Sequence, residues 1–299
     1  MKKQNKALTL TVIANMTSNY GEGLGNIGSI QKVYKNGKTY AIRSRESMKN
    51  AIMVQSGLYD DLKVDLDKKV NQKTVSEEKN TATVRALEGG YMNTSGGTKI
   101  RKSSFYLTDA VSFHPFVNDT RFHNNLYLAQ TYAKQNTLSL QDNPKETGLM
   151  PYQYEYDRSL KKYSITIDLD RVGVDENYGD EAEKTEKMER VNLLLDAIRT
   201  LSLVVRGNLD NAEPVFVVGG IGTYKTHYFD NVVSVENEKL RIVPDLTEKL
   251  KEGYAAALIE GSSFSNEKEI AEQLKTVSVN EFFRNLKEKV KEYYESTED

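Results

Sequence analysis

The sequence predicts an α+β fold, and three observations carry the prediction. Residues 6–15 (KALTLTVIAN) and 163–172 (YSITIDLDRV) alternate apolar and polar side chains, as strands with one buried face do. The segments that follow Ser44 and Asp180 instead repeat apolar residues at helical spacing. Apart from a long polar insertion and a helical tail, the elements run strand, hairpin, helix, strand, helix, strand, strand. That order is close to the βαββαβ plan of ferredoxin-like and RNA-recognition folds.

The first strand is followed by a glycine-rich loop, GEGLGNIG, and then by IQKVYKNGKTYAIR. Asn36 and Gly37 suit the two-residue turn of a hairpin, where both central residues need positive φ. Ser44 is a good N-cap, and Glu46 sits in the first helical turn, where the helix dipole favours an anion. Met48, Ala51, Ile52 and Gln55 share one helix face, and Gly57 ends the helix. Residues 58–100 are polar and irregular, with a helix expected near 74–88 and a glycine-rich connector, EGGYMNTSGGTK. Strand-like pieces (SFYLTDAVSF), a helix at 122–136 and a turn-rich stretch, LQDNPKETGLMP, fill 101–151 before YQYEY. In the second strand Ile165, Ile167 and Leu169 point one way and Thr166, Asp168 and Asp170 the other. A helix is expected over 183–206, where Met188, Val191, Leu194, Leu195, Ile198, Leu201 and Val205 form a wide apolar face and Gly207 closes it. PVFVVGGIG reads as a buried strand, HYFDNVVSVENEKLRIV as strand-like, and the tail as helices near 245–258, 266–275 and 279–296. The expected organisation is a discontinuous core of 1–57 and 163–240, an insertion over 58–162, and a C-terminal helical segment, 241–299, packed on the core.

The chain has 299 residues, 38% of them hydrophobic and 28% charged, so it can bury a sizeable core, and general disorder is excluded. No apolar run reaches the ~18 residues of a membrane span. The N-terminal stretch alternates as a strand and is broken by threonines, which makes it part of the fold and not a signal peptide. Without cysteine there is neither a disulfide nor a thiolate metal site, and a reducing cytoplasm is the natural setting. The net charge of −2 conceals an asymmetry. Residues 1–50 carry seven Lys and two Arg against Glu22 and Glu46, a net +7, which leaves −9 for the rest. This suggests a basic face for a polyanion; the alternative is chance clustering of solvated lysines.

Several motifs mislead. Gly23–Gly28 matches G-x-G-x-x-G, but a dinucleotide site needs a helix to begin there, and the next element holds Asn36 and Gly37 in a β setting. GGIGTYKT at 219–226 has Tyr224 where a P-loop needs glycine. Lys225, Thr226 and His227 still form a candidate phosphate contact, against the alternative of a tight turn between strands. Asp168 and Asp170 share a strand face without a third ligand at matching spacing, so a solvated or salt-bridged face is the better reading and no metal or other cofactor is expected. The three histidines form no ligand or catalytic motif; His123 with Arg121 could contact RNA or simply lie on the surface. The aromatic signature of ordinary RNA-recognition modules is absent, so base stacking on the sheet is not expected.

In order, LTLTVIANMTSNYGEG, SRESMKNAI, EGGYMNT, YQYEY with YSITIDLDRVG, and VVGGIGTYKTHYFDN resemble the DevR-type CRISPR-associated proteins. The resemblance covers most of residues 5–235 and weakens in the tail. These are repeated backbone subunits of type I-B Cascade surveillance complexes. The resemblance implies a modified RNA-recognition (ferredoxin-like, RAMP-superfamily) palm with the insertion as fingers and a thumb hairpin within 138–162. Leu149, Met150 and Pro151 would form an apolar wedge at the thumb tip. It also implies copies stacked head to tail along a guide crRNA, since a heterologous contact that does not close generates a helical filament. The guide would pair with a target DNA strand in antiviral defence. The remaining partners would be the large, small, foot-cap and repeat-processing Cascade subunits and a recruited helicase-nuclease.

The corner Arg43, Ser44, Arg45 and Lys49 would hold guide phosphates. Arginine forks and a helix N-terminus suit phosphate, and such contacts are sequence-neutral. Asn15, Asn19, Arg101, Lys102, Lys225, Thr226 and His227 are further RNA-binding candidates. For Arg43 the alternative is a surface salt bridge with Glu46. A non-catalytic, membrane-free RNA-binding subunit is therefore expected. Two alternatives remain: a metal-dependent RNA-cleaving backbone subunit using Asp109 or Asp119, and a stand-alone RNA-binding regulator.

Overall fold

Strand β1 (Ala7–Thr17) is the axis of the computed structural model, which describes residues 6–21, 27–67, 70–94, 97–142 and 144–296. Its alternation puts Leu8, Leu10, Val12, Ala14 and Met16 on one face and Thr9, Thr11 and Ile13 on the other, all fully buried. The remaining strands of the main sheet are β2 (Lys32–Lys35), β3 (Lys38–Arg43), β4 (Phe105–Leu107), β5 (Ala110–Pro115), β6 (Arg158–Asp168), β7 (Pro214–Gly222) and β8 (Ala255–Leu258). They lie in the order β8–β7–β1–β6–β5–β3–β2, with β4 also on β6, and all pairings are antiparallel. The fold is the expected α+β one, with β1 between β6 and β7.

Helices cover both faces. Helices α1 (Arg45–Gln55), α3 (Lys184–Arg199) and α6 (Val279–Ser296) pack Met48, Ile52, Leu194, Ile198, Phe282 and Phe283 on the Leu8–Met16 side. On the opposite side Ile13, Phe216 and Val218 meet Phe229, Tyr254, Leu246 of α4 (Pro244–Lys251) and Ile270 of α5 (Glu267–Leu274). The centre of that second face is polar. Thr11 and Ser164 hydroxyls lie 2.8 Å apart, and Ser164 Oγ donates to Asp230 at 3.0 Å. Gly219 lets β7 come this close to β1, since a Cβ there would lie 1.9 Å from the Thr9 carbonyl oxygen. No helix among the described residues is long and apolar enough to cross a membrane.

Local chemistry redirects several expected elements. The helix expected near 74–88 is a series of turns ending in a 3-10 segment, Arg85–Gly89. There Asn80 Oδ1 accepts from Ala82 N, and Asp175 accepts from the backbone and hydroxyl of Thr81, so side chains take the bonds a helix would use. The helix expected at 122–136 divides into a strand, Thr120–Asn124, and α2, Leu126–Gln135. The strand pairs with Pro151–Glu155, and Phe122 stands opposite Gln153. Helix α3 stops at Arg199. Ser202–Val205 and Asn208–Asn211 form a hairpin, with Arg206 (φ 47°) and Gly207 (φ 78°) in its turn. Gly207 therefore makes a turn instead of closing a helix. Helix α4 likewise stops at Lys251, Gly253 turns the chain at φ 97°, and Ala255–Leu258 becomes β8. The segment 227–243 is mostly turns, with a two-residue ladder pairing Val235–Glu236 with Lys239–Leu240. Asn36 (φ 51°) and Gly37 (φ 76°) make the expected hairpin turn. Most of Gly23–Gly28 lies outside the described residues, but the chain after it, from Lys32, is strand and not helix.

The stretch expected as an insertion contributes to the main sheet. Strand β4 pairs with β6, and β5 lies between β6 and β3, so 105–115 is core sheet in position. Residues 74–104 are anchored by buried charge. Glu88 accepts from Arg190 Nη1 at 2.9 Å, Gly173 N at 2.6 Å and Ser104 Oγ at 2.5 Å, and pairs with Arg101 at 3.4 Å.

Beside this network Lys73 donates to the Ala86 carbonyl at 2.8 Å. Burial, with the charges of Lys49 and Arg101 adding, lowers its pKa to about 8. A lysine whose folded pKa lies below its unfolded value of ~10.4 binds fewer protons folded than unfolded between those two pH values. Its contribution therefore makes the protein more stable as pH rises from about 8 toward ~10.4. Thermal unfolding over that range should show this rise, and Lys73→Met should flatten it. A wild-type slope that the variant retains in full would assign the effect to other groups.

Candidate nucleic-acid interface

The end of β1 is built around a buried ammonium. Lys161 Nζ, on the neighbouring strand, donates to Met16 O at 2.9 Å, Ser159 Oγ at 3.0 Å and Asp157 Oδ2 at 2.5 Å. Burial lowers its pKa, and Asp157 opposes the shift. Asp157 also accepts from the Ser18 hydroxyl at 2.9 Å, and Asp210 accepts from Thr17 N at 2.7 Å. These bonds fix the direction in which residues 17–20 leave the sheet.

The predicted corner is assembled, but its cations are largely committed inside the protein. Ser44 is the N-cap of α1, its Oγ accepting from Ser47 N at 3.3 Å, and Asn19 Oδ1 accepts from Ser44 N at 2.8 Å. Arg43 is buried, at 6% exposure; its Nη1 donates to Thr17 O at 3.4 Å, and burial lowers its pKa against the pull of Asp210. It is therefore neither a surface phosphate ligand nor a partner of Glu46. Glu46 pairs with Arg45 at 2.8 Å, and that hydrogen bond raises the Arg45 pKa and lowers that of Glu46. Arg45 remains exposed, and its backbone N–H donates to Asp109 at 2.8 Å. Lys49 donates to Gly89 O at 2.6 Å and to Ser103 Oγ at 3.3 Å, and burial lowers its pKa. Asn15 lies half-buried in β1, its Oδ1 without a partner among the described residues.

The other candidates are dispersed. Arg101, at 2% exposure, donates to the carbonyls of Val174, Leu87 and Arg171 and serves the Glu88 network, which removes it from any RNA surface. Lys102 is exposed beside it. Gly219 and Gly220 belong to β7 instead of wrapping a phosphate. Lys225 is held by Asp168 at 2.7 Å and Asp170 at 3.3 Å. Burial alone would lower its pKa, but those two carboxylates outweigh it and raise it. The Thr226 carbonyl accepts from Thr9 and Thr166, and His227 Nδ1 lies 2.9 Å from Thr166 Oγ1, with burial lowering its pKa. This is the salt-bridged turn between strands, not a phosphate cradle. Leu149 is half-buried, while Met150 and Pro151 are exposed where the 136–150 segment re-enters the Pro151–Glu155 strand. The paired strands Thr120–Asn124 and Pro151–Glu155 overlap the expected 138–162 only in the second of them.

The sequence reading named Arg121 and His123 but missed the tyrosines and Arg206 that join them where this hairpin meets the end of β1. Antiparallel pairing puts His123 opposite Tyr152, with Tyr154 two residues along on the same face. His123 stacks on Tyr154 at 4.9 Å (8° between planes) and on Tyr152 at 5.6 Å (17°). Tyr20 meets Tyr154 edge-on at 5.9 Å. The Arg206 guanidinium, from the turn between Ser202–Val205 and Asn208–Asn211, lies 4.4 Å from the Tyr20 ring and 5.2 Å from that of Tyr154. Arg121 lies 3.5 Å from the Tyr156 ring. Both arginines are exposed. The alternation Arg121–His123 and Tyr152–Tyr154–Tyr156 was the available signal, but it needed the register between the two strands to be read as one surface.

Because Arg101 balances a buried carboxylate, Arg101→Ala should lower stability by ~3–5 kcal/mol, as loss of one partner of a buried pair does. Lys102→Ala should leave urea unfolding nearly unchanged. Equal effects would mean that the Glu88 network does not hold the 74–104 segment.

Two solved structures share the fold. One chain, of a "CRISPR RNA-guided surveillance complex", superposes with a TM-score of 0.56 at 15% identity, covering 95% of this chain and 99% of its own. Another, of a "CRISPR RNA-guided surveillance complex, pre-nicking", gives 0.56 at 12% identity and covers 94% and 100%. Among curated proteins no sequence matches. The family model described as "CRISPR-associated negative auto-regulator DevR/Csa2" matches residues 8–241, from the second residue of β1 to just before α4. The chain therefore belongs to the DevR/Csa2 family of CRISPR-associated proteins.

Proposed function

We propose that this protein is a non-catalytic, crRNA-binding backbone subunit of a type I-B Cascade surveillance complex. The observation that carries the reading is the cluster of near-parallel rings His123, Tyr152 and Tyr154, flanked by the exposed guanidinium groups of Arg121 and Arg206. Aromatic faces alternating with cations suit a single strand, since every base has a face to stack and every nucleotide a phosphate to neutralise. None of these contacts selects a sequence, as a carrier of many different guides requires. Family membership and the shared fold support the assignment to a surveillance complex.

Copies would polymerise along the guide in the cytoplasm, with the 120–155 hairpin reaching toward the next nucleotide segment. The guide would pair with target DNA, and the remaining Cascade subunits and a helicase-nuclease would complete the assembly. Chemistry is assigned to that nuclease. Asp109 is engaged by the Arg45 backbone, and Asp119 stands exposed on the 116–119 connection. No group of three or more His, Cys, Asp or Glu that could hold a metal ion occurs among the described residues.

The test is the nucleic acid that copurifies with the protein. A defined-length RNA carrying repeat sequence, with several subunits per strand by native mass measurement, is the expected result. One subunit per strand would favour a stand-alone regulator, a reading that the family's "negative auto-regulator" description keeps open. The double variant Arg121→Ala, Arg206→Ala should bind single-stranded RNA at least about tenfold more weakly, because it removes two exposed guanidinium groups that would neutralise phosphates. It should also show a shallower salt dependence, with two phosphate-neutralising charges removed. Unchanged affinity would place the RNA elsewhere.

A further inference from the structure

The second face of the main sheet carries a cleft of about 1020 Å³, away from the ring cluster. It opens where His114 of β5 and Ser159 and Leu160 of β6 meet the turns around 235–238 and 260–266 and the start of α5. Its inner wall is apolar: Val235 and Phe264 are buried there, and Leu160 is half-buried. Its rim is acidic. Glu238, Glu260 and Glu269 are exposed on it, with Lys268 the one lysine beside them. None of these three carboxylates forms a salt bridge among the described residues. The rim also costs backbone energy. Glu238 (φ 62°) and Ser262 (φ 67°) hold side chains in the left-handed region, where glycine would be the unstrained choice.

The hairpin of β2 and β3 is the complement of this cleft. Strand β2 ends the main sheet, and its outer edge has no partner strand among the described residues. The register sets Lys35 opposite Lys38 and Val33 opposite Tyr40. Directly opposed residues share a face, so two cations stand at the tip with two apolar side chains behind them. Like charges placed directly opposite destabilise a ladder. Lys35 and Lys38 are exposed, and neither has an anionic partner among the described residues. Lys32, by contrast, is already answered by Glu155. An acidic surface laid on the tip would remove the repulsion, and an apolar one behind it would cover Val33 and Tyr40.

We infer that the cleft receives the β2–β3 hairpin of a second copy of this chain, with Val33 and Tyr40 toward Leu160 and Phe264 and the two lysines against the rim glutamates. The surfaces agree in sign and in layout, each an apolar patch bordered by charge. Hairpin and cleft are different surfaces. A copy that gives its hairpin to one neighbour can therefore take the hairpin of another, and the contact repeats. The inference rests on the proposal that copies line up along RNA, and it names the surfaces that join them. A hairpin tip is small beside the ~1,200–2,000 Å² of a stable interface. The contact therefore acts between copies that the strand already holds close, where linkage raises their effective concentration.

The test is carbodiimide crosslinking, which joins lysine to carboxylate, of an equal mixture of isotope-labelled and unlabelled protein on a long single-stranded RNA. Crosslinked peptides are mapped by mass spectrometry, and subunits per strand are counted by native mass measurement. The expected crosslinks join Lys35 or Lys38 to Glu238, Glu260 or Glu269 and carry both labels. Glu260→Lys with Glu269→Lys adds positive charge, which by itself strengthens binding to RNA. It should nevertheless lower the number of subunits per strand at least about twofold, because like charges then meet across the contact. Adding Lys35→Glu and Lys38→Glu to the same chain should restore the number. Undiminished arrays in the cleft variant, hairpin–cleft crosslinks confined to one label, or a cleft crosslinked to another segment would overturn this contact and leave the polymer in place. One subunit per strand in the wild type would overturn the polymer reading, and the contact with it.

Discussion

A positive charge sealed inside the sheet governs the functional end of this molecule. Lys161 is fully buried, and an ammonium out of water is tolerated only when its hydrogens are bonded and its charge answered. Met16 O, Ser159 and Asp157 meet that requirement, and each lies within four residues of where β1 or β6 enters the candidate interface. Because Asp157 must stay near the ammonium, Ser18, which donates to it, must follow. Asn19 is then placed to accept from the first residue of the α1 cap, and Tyr20 to meet Tyr154. The geometry of a surface thus descends from the pairing of one buried group.

A second buried network has the same logic at the other end of the insertion. Glu88 draws Arg101, Arg190, Ser104 and Gly173 to one point, which ties a polar, weakly structured segment to α3 and to the turn after β6. Segments 74–104 lack the apolar content to fold by burial alone. Charge pairing in a low dielectric substitutes for it, and its directionality specifies one arrangement. Arg101 is the instructive residue here: the sequence presents it as a surface cation next to Lys102, and the fold spends it on a carboxylate.

The candidate site was legible only in part, for a reason that the cations make plain. Counting charge found a basic segment over 1–50, but pairing decides whether a cation faces solvent. Arg43 and Lys49 are turned inward, Lys32 is held by Glu155 at 2.5 Å, and Arg45 shares its charge with Glu46. The guanidinium groups that do stand beside aromatic rings, Arg121 and Arg206, come from outside that segment. Arg206 was hidden because residues 200–206 carry helical spacing of Leu201 and Val205. The β-branched pair Val204–Val205 before Arg206–Gly207 prefers a strand and a tight turn.

By itself the sequence determined the elements whose periodicity is long and unbroken: β1, the 163–168 part of β6, the helices 45–55 and 279–296, the Asn36–Gly37 turn and the N-cap at Ser44. It also carried the family, through an ordered set of short motifs spread along the chain. Local patterns suffice for these because each is decided by neighbours within a few residues. Tertiary structure alone decided which strands of the insertion join the sheet, which cations are buried, and that His123, Tyr152, Tyr154, Tyr20 and Arg206 stand together. Strand register and charge pairing are long-range quantities: they join residues as far apart as Ala7 and Gly222, or Tyr20 and Arg206, and no local spacing encodes them.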